Sequence, residues 1–499
     1  MSETSARKLQ RPPDHKVVTR RDFLGQGLIA GAAFAAGPTL LGLLGSSPAA
    51  AQAAAECGIA TGGAGLIPFI AMDLGGGANT SGSNVLVGGP GGQLDFLEPE
   101  GYEKQGLPSG MFPTDPAQVN NELGLLFHAD SPFLRGIQSK TAASTRANVN
   151  GVVFAARSAN DTGNNPHNPM FGINKAGASG DLVSLIGSRS SDSGGRSQSP
   201  ISMYDPAKRP TKVSDEDDAR GLVDTGKLVD LLDEDAAVSV MSTIEQLSDL
   251  RVQRMTEDQM VKDLISCAYT QSADLVNRYG DPSLLDPTAD LDIVGAGNSI
   301  FTANELNSSK NIKAAAAMKL TVNGFAGCST IESGGYDYHD GTRATGEVRD
   351  FEAGVQMGAM LEYAARRSQP LVIYVFSDGS VGASNDIDNS GQGRGKFGWQ
   401  GDNGGTASTF LLVYDPNGRP QLRDPNSQQI GYFRPSGSVE TGAVRIASNV
   451  DLLAEAVVLN YMALHDDLGR FDQVLPSHGL GSGGDRDALI GLQPIRSMG

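Results

Sequence analysis

The sequence has few cysteines and comparatively few basic residues, and each shortage excludes a class of protein. Three cysteines, Cys57, Cys267 and Cys328, occur in 499 residues, so at most one internal disulfide can form, and their spacing matches no zinc-binding motif. The 39 Lys and Arg residues are outnumbered by 57 Asp and Glu residues, which gives a net charge of −18. Because binding to a phosphate backbone requires a basic surface, we expect no nucleic acid partner.

Nucleotide-binding motifs are missing as well, although glycine is abundant. The chain contains 64 glycines, yet the glycines after the apolar run at 66–72 have neither the G-x-G-x-x-G spacing of a dinucleotide site nor the lysine of a P-loop. Only 19% of the residues are charged. This composition is typical of a globular protein with many loops, and the length suits either two domains or one elaborated α/β domain.

The amino terminus has the pattern of an export signal. Thr19-Arg20-Arg21-Asp22-Phe23-Leu24 follows a basic start and precedes an uncharged run at 25–44 that is rich in Gly and Ala. This pattern resembles the twin-arginine signal that directs folded bacterial proteins across the membrane. A membrane anchor is the alternative, but the glycines, Pro38 and the modest hydrophobicity of the run make it a poor span.

The signal predicts the location of the protein and one of its partners. Ala51-Gln52-Ala53 offers a cleavage site, so residues 1–53 are expected to be a signal peptide, and the mature chain is expected to retain no transmembrane anchor. Removing these residues leaves 33 basic and 54 acidic residues, a net charge of −21. We therefore expect a protein of the periplasm or extracellular space that engages the twin-arginine translocation machinery during export.

Two apolar runs end at an acidic residue, which indicates where a site could lie. The run LVIYVFS at 371–377 is followed by Asp378, as expected for a strand buried on both faces. The run at 66–72 ends in the same way at Asp73, although Pro68 argues that its first residues lie outside a central strand. Ligands bind at the carboxyl ends of strands in open α/β sheets, so both carboxylates are candidate ligands for a hard cation. The alternative is that each Asp only caps a local turn.

The other periodic segments predict an α/β protein. Strands are predicted at 149–156, 319–325 and 409–414, and helices at 226–278, 349–367 and 451–468. This alternation, with acidic residues at strand ends, predicts a layered fold with a mostly parallel central sheet flanked by helices. We expect residues 54–499 to form a single domain with long, Gly-rich or polar insertions at 83–116 and 157–225.

Weaker signals lie in three loops and in the last helix. His167 lies among Asn and Pro residues after a strand, where it is either a site residue or a polar contact of a turn. The pattern D-x-D-x-S-G at 386–391 imitates a calcium loop, but Phe397 takes the place of its bidentate Glu. The pattern D-x-S-x-G at 378–382 imitates part of the metal-adhesion motif of von Willebrand A domains. His465, in an acidic stretch, is expected at the surface.

The order of the motifs resembles that of a bacterial protein family. Four segments carry the resemblance: Leu74-x-Gly76-Gly77-x-Asn79, Gly335-Tyr336-Asp337-Tyr338-His339, Phe376-Ser377-Asp378 and Gly401-Asp402-Asn403-Gly404. Together with the twin-arginine signal they resemble the exported family catalogued as domain of unknown function 1501, which is related to the alkaline phosphatase and sulfatase superfamily. The resemblance spans most of residues 66–415, and it implies an alkaline-phosphatase-like layered fold.

The resemblance and the strand ends together imply a metal site at one edge of the sheet. Five ligands of a divalent zinc, manganese or magnesium ion are expected to converge there: Asp73, Asp337, His339, Asp378 and Asp402. Further candidate site residues are Asn79, His167, Ser377 and Asn403. Asp337 and His339 have the spacing that puts two side chains on one side of an extended segment. Oxygen ligands with one imidazole suit these metals better than a thiophilic one.

Three departures from the family pattern indicate a divergent member. Asn79 stands where the family has an acidic residue, Ser377-Asp378-Gly379-Ser380 replaces a Ser-Glu-Phe-Gly-Arg strand end, and Asp402-Asn403 replaces an Asp-His pair. These changes would weaken neutralisation of charge on a transferred group. Two hypotheses follow. The protein is a metal-dependent hydrolase of phosphate or sulfate esters, or it is a non-catalytic envelope protein that keeps the fold for binding or structure.

Overall fold

The computed structural model describes residues 65–158, 162–223, 281–295 and 297–497. Apart from Val223 and Asp281, these residues belong to one compact unit. The predicted signal peptide and the predicted helical region at 226–278 lie outside the described residues. Within the described ranges, no helix combines the length and apolar character that a membrane crossing requires.

Eight of the described strands form one sheet, and nearly all of them are parallel. The described strands are β1 (Phe69–Gly75), β2 (Val119–Asn120), β3 (Phe127–His128), β4 (Val149–Phe154), β5 (Val183–Gly187), β6 (Thr211–Lys212), β7 (Ala326–Gly334), β8 (Leu371–Ser377), β9 (Val381–Asp388), β10 (Lys396–Asp402), β11 (Thr409–Tyr414) and β12 (Gln429–Ile430). The sheet order is β12-β4-β11-β8-β1-β7-β5-β6, and β11 alone is antiparallel to its neighbours. Outside this sheet, β9 pairs with β10 and β2 pairs with β3.

Helices cover both faces of the sheet, which confirms the predicted α/β class with a mostly parallel central sheet. The described helices are α1 (Pro99–Lys104), α2 (Pro132–Lys140), α3 (Ala143–Ala147), α4 (Met170–Lys175), α5 (Glu216–Arg220), α6 (Ala303–Leu306), α7 (Ser309–Val322), α8 (Ala344–Arg366), α9 (Val450–Leu464), α10 (Phe471–Val474) and α11 (Gly484–Asp487). Along β1, Ile70, Met72 and Leu74 face the core formed with α2, α7 and α8. Phe69 and Ala71 face the opposite core, formed with α4 and α9.

The two apolar runs that precede acidic residues form the centre of the sheet. β8 coincides with the predicted run at 371–377, lies between β1 and β11, and is buried along its whole length. Its β-branched and aromatic residues suit a strand covered on both faces. β1 begins at Phe69, after Pro68, because proline has no N–H to donate to a neighbouring strand. The Pro68 carbonyl instead accepts a hydrogen bond of 2.9 Å from the Val372 N–H.

The predicted strand at 319–325 is wrong. Helix α7 runs to Val322, and strand β7 begins only at Ala326. The β-branched residues at the end of α7 indicated a strand, but packing of Met318 and Val322 into the core on the α8 side overrides that local preference. Gly324, with φ of 79°, ends the helix in the left-handed conformation that glycine adopts without strain.

The predicted amphipathic helix at 451–468 is shorter than expected and is buried on every side. All residues from Leu453 to Leu464 are buried. The expectation that His465 lies at the surface is wrong, because this histidine follows a helix enclosed by the core. Its Nδ1 donates to the Tyr461 carbonyl (2.7 Å), and its Nε2 accepts from the Ile67 N–H (2.9 Å). Burial lowers the pKa of His465, which fits an uncharged imidazole.

Candidate metal centre

All five predicted ligands lie at one edge of the central sheet, near the ends of strands or in the loops that follow them. Asp73 lies near the carboxyl end of β1, Asp378 follows β8, and Asp337 and His339 follow β7. Asp402 ends β10 and precedes β11, which is antiparallel and therefore starts at that same edge. The five residues divide into two groups, one exposed and one buried.

The exposed group consists of Asp337, His339 and Asp402. Nε2 of His339 lies 2.6 Å from Oδ1 of Asp337 and 3.4 Å from Oδ1 of Asp402. One ligand atom from each residue lies within 4.8 Å of the other two, a spacing at which the group could hold one metal ion. The three side chains are 53%, 36% and 59% exposed, respectively. Solvent therefore reaches the centre, and a bound ion would keep open coordination positions.

The backbone after β7 turns two of these ligands outward. Asp337 and His339 flank Tyr338, whose side chain is buried and whose ring lies beside that of Trp399, with centroids 6.1 Å apart. Successive side chains of an extended segment point to opposite sides, so burying the phenol directs both flanking ligands to the surface. Asp402 reaches them from the end of β10, the strand that contains Trp399.

The buried group consists of Asp73 and Asp378. Alternation along β1 puts Asp73 on the sheet face covered by α4 and α9, where its side chain is fully buried. Its Oδ2 accepts hydrogen bonds from the backbone N–H groups of Arg196 (2.8 Å) and Ser197 (2.7 Å), and its Oδ1 accepts one from the Ser197 hydroxyl (3.2 Å). Burial, reinforced by the charges of Asp378 and Glu332, raises the pKa of Asp73 to about 7.

Asp378 is held by a backbone amide and by a guanidinium. Its Oδ1 accepts from the Gly76 N–H (2.7 Å), and its Oδ2 accepts from Nε of Arg196 (2.6 Å). Burial raises the pKa of Asp378, and these two bonds oppose that rise. Arg196 thus binds both buried carboxylates, one through its backbone and the other through its side chain. No sequence pattern indicated Arg196, because this residue lies in a Ser- and Gly-rich loop outside any predicted strand or helix.

Gly76 lies between the exposed and the buried groups. Its φ is 128°, and a Cβ at this position would lie 2.4 Å from the backbone nitrogen of Asp337. Its N–H donates to Asp378, while its α-carbon packs against the backbone at Tyr336 and Asp337. Among the described residues, the group with ligand atoms within 4.8 Å of one another includes neither Asp73 nor Asp378. Both of these carboxylates accept hydrogen bonds from protein donors instead.

Ser377 fixes the turn that follows β1. Its hydroxyl oxygen accepts from the N–H groups of Gly77 (3.1 Å) and Ala78 (2.8 Å), and the hydroxyl donates to the Leu74 carbonyl (2.6 Å). These bonds join the end of β8 to the loop after β1. The contacts of Ser377 are therefore those of a residue that shapes the site.

The two asparagines have similar structural contacts. The side-chain amide of Asn79 donates to the Val381 carbonyl (2.9 Å), which ties the β1 loop to β9. The backbone N–H of Asn403 donates to the Ser380 carbonyl (2.7 Å), and its side chain caps the short 3-10 turn at 404–406. The contacts of Asn79 therefore secure loops.

His167 is buried in the core. Its ring stacks on Phe376 with centroids 5.9 Å apart, and its Nε2 lies 3.5 Å from the Ser158 hydroxyl, while its Nδ1 has no hydrogen-bond partner in the described part of the chain. Burial lowers the pKa of His167 to about 3, so the imidazole is neutral at physiological pH. The imidazole is fully enclosed, in contrast to the exposed centre that contains His339.

The two loop patterns that imitate cation sites make local contacts. The carboxylate of Asp388 accepts from the backbone N–H groups of Arg343 (2.9 Å) and Ala344 (3.1 Å), so it stabilises the start of α8. The hydroxyl of Ser380 lies 3.2 Å from the hydroxyl of Thr406. Neither contact resembles a coordination shell.

Comparisons with protein-family models, with curated proteins and with solved structures found no match for this chain. The donor set of the exposed group is two carboxylates and one imidazole. This set fits zinc, manganese or magnesium, and three protein ligands with an open side are typical of catalytic rather than structural zinc sites.

Proposed function

We propose that the protein is an exported cell-envelope hydrolase that binds one divalent metal ion at Asp337, His339 and Asp402 and cleaves phosphate or sulfate esters. One observation carries the proposal: three ligand atoms of suitable chemistry meet within 4.8 Å at a solvent-facing edge of the sheet. Ligands of α/β proteins bind at this edge, beyond the carboxyl ends of the parallel strands. The resemblance in motif order to an alkaline-phosphatase-like family supports the same chemistry.

The residues around the centre have distinct tasks in this proposal. Asp337 and Asp402 attract a cation, and the imidazole of His339 adds a nitrogen ligand. A divalent ion held there supplies Lewis acidity toward an oxygen of an anionic ester. Asp378 and Arg196 lie on the other side of Gly76 and secure the loop at 188–199 against the sheet. The open side of the centre admits the ester from solvent.

A second candidate is a non-catalytic envelope protein that binds through the same centre. This candidate is favoured by the hydrogen bonding of Asp73 and Asp378. Their carboxylate oxygens accept hydrogen bonds from Gly76, Arg196 and Ser197. These carboxylates are then not available for a second ion, and a two-metal clamp on a transferred group would be lacking.

Hydrolysis assays with a matched histidine control separate the two candidates. Purified mature protein is assayed on an aryl phosphate, an aryl phosphodiester and an aryl sulfate with added zinc, manganese or magnesium. We expect turnover above the metal-free control, and a loss of at least about tenfold in His339→Ala, because removal of a ligand weakens the centre. His478→Ala is the control, since His478 pairs with Asp472 (2.7 Å) away from the site. Bound metal without turnover on any ester would favour the non-catalytic protein.

A further inference from the structure

The segment that supplies two of the ligands has no backbone pairing of its own. Strand β7 ends at Gly334, and the next backbone bond runs from the Tyr336 N–H to the Gly75 carbonyl (3.2 Å). Among the described residues, Asp337, Tyr338 and His339 make no backbone-to-backbone hydrogen bond. Ligand positions on such a segment depend on side-chain contacts, because nothing in the main chain holds its register.

The phenol of Tyr338 supplies those contacts. Its hydroxyl donates to Asp350 of α8, with distances of 3.1 and 3.3 Å to the two carboxylate oxygens, and accepts from the Asn79 N–H (2.9 Å). Asp350 is buried and also accepts from the side-chain amide of Asn84 (2.8 Å). One hydroxyl therefore joins the ligand segment to α8 and to the loop after β1, both of which are fixed in the core.

The ring of Tyr338 extends this link to the third ligand. It lies beside Trp399 of β10, and the Trp399 backbone in turn bonds the turn after the ligand segment, through the Gly341 N–H (2.9 Å) and the Thr342 carbonyl (3.0 Å). Asp402 is the last residue of the same strand. The phenol thus lies behind the centre and contacts the elements that carry all three ligands.

We propose that Tyr338 is the positioning residue of the metal centre: its bonds to Asp350 and Asn79 fix Asp337 and His339 at coordinating distance and so set the metal affinity. The inference rests on the proposed metal centre and adds a residue outside the ligand set. Groups that orient metal ligands typically change affinity by about 10- to 100-fold when removed. Tyr338→Phe keeps the buried ring and deletes only the hydroxyl, so the loss should fall in that range.

Tyr336 offers a matched control in the same segment. It is also fully buried, its ring lies 6.2 Å from that of Tyr338, and its hydroxyl donates to the Arg349 carbonyl of α8 (3.0 Å). Tyr336 precedes Asp337 and His339 in the chain, whereas Tyr338 lies between them. Tyr336→Phe therefore removes a buried hydroxyl of equal size without cutting the link to Asp350 and Asn79.

The test is a comparison of metal binding by wild type, Tyr338→Phe and Tyr336→Phe in the mature chain. Zn²⁺ dissociation constants are measured by calorimetry, and the ligand geometry is followed by the visible absorption of bound Co²⁺. We expect Tyr338→Phe to weaken Zn²⁺ binding by about tenfold or more and to alter the Co²⁺ bands. Tyr336→Phe should stay within about threefold of wild type with unchanged bands. The unfolding midpoint of each metal-free variant separates affinity from stability.

The remaining outcomes would contradict either the positioning role of Tyr338 or the metal centre itself. Equal losses in the two variants, or wild-type affinity and bands in Tyr338→Phe, would overturn the positioning role. If Tyr338→Phe does not fold, Asp350→Asn replaces it, since this change keeps an acceptor for the phenol but weakens the bond, and wild-type affinity in that variant overturns the inference. A wild type that binds neither Zn²⁺ nor Co²⁺ would instead contradict the metal centre itself.

Discussion

Asp73 shows how burial controls a carboxyl group beside the exposed centre. It receives hydrogen bonds from the backbone of Arg196 and from the backbone and hydroxyl of Ser197, and these favour its charged form. The loss of water outweighs them and raises its pKa to about 7. The folded protein therefore holds the Asp73 proton more tightly than the unfolded chain, where the ordinary value is 3.8. The resulting stabilisation is complete below about pH 4 and is lost as pH rises through about 7.

The variant Asp73→Asn should remove this pH dependence. Asparagine cannot ionise, and its carbonyl can accept the two N–H groups while its amide faces the Ser197 hydroxyl. Between pH 4 and pH 8 the free energy of unfolding of the wild type should fall relative to that of the variant by on the order of 4 kcal/mol. Urea unfolding of metal-free protein at several pH values measures the difference. The exposed control Asp424→Asn should follow the wild type, and parallel curves for Asp73→Asn and wild type would contradict the assignment.

The proximity of Asp337 and His339 could be predicted from the sequence, whereas the partner of Asp378 could not. Two ligands at i and i+2 face the same way in any extended segment, so local spacing is enough. Arg196 reaches Asp378 because the loop at 188–199 crosses the sheet edge, and that path is set by long-range packing. No residue spacing in the sequence indicates the path of this loop. His465 was misassigned for a related reason, since its acidic neighbours suggested solvent while its helix lies in the core.

Among the elements, the central strands were the most predictable. β8 and β11 begin and end where the apolar runs do, because strands buried on both faces contain few polar residues. The predicted boundary between α7 and β7 was wrong, because the β-branched end of the helix has the composition of a strand. Burial of its inner face decides the conformation there, and a local pattern does not contain that information.

The hairpin of β9 and β10, which carries Asp402, was not predicted. Its sequence is rich in Gly, Asn, Asp and Ser, residues that are depleted in strands. Buried contacts stabilise it instead: the Lys396 ammonium bonds Glu347 of α8 (2.7 Å), and the Trp399 ring lies 4.3 Å from the Arg343 guanidinium. These partners are distant in sequence. One ligand of the proposed centre therefore depends on tertiary contacts that the local pattern did not show.

At the scale of the whole molecule, the parallel sheet gathers segments from distant parts of the chain at one edge. The α/β class could be predicted because alternating strands and helices leave few other arrangements. The division of this edge into an exposed centre and a buried carboxylate pair could not be predicted, because both groups contain acidic residues that lie near glycines in the sequence. The backbone of Gly76 separates them, and only the three-dimensional path of the chain shows which carboxylates face solvent.

We propose that the protein is exported, and we expect its export to depend on Arg20 and Arg21. Paired arginines before a weakly apolar run form the twin-arginine signal, so replacing both with Lys should leave the protein in the cytoplasm. Replacing Arg7 and Arg11 with Lys makes the same change outside the motif and should leave export unaffected. Cell fractionation with immunoblotting measures the distribution. Processed protein outside the cytoplasm in the Arg20 and Arg21 variant, at the wild-type level, would reject the signal.

The metal content of the purified mature protein tests the central claim most directly. After equilibration with Zn²⁺ and removal of free metal, elemental analysis should find one ion per wild-type chain and almost none in a variant with both His339→Ala and Asp402→Asn. Asp73→Asn should retain the full ion, because Asp73 is bound by Arg196 and Ser197 and lies outside the exposed centre. A wild type without metal, or full metal content in the double variant, would contradict a centre at Asp337, His339 and Asp402.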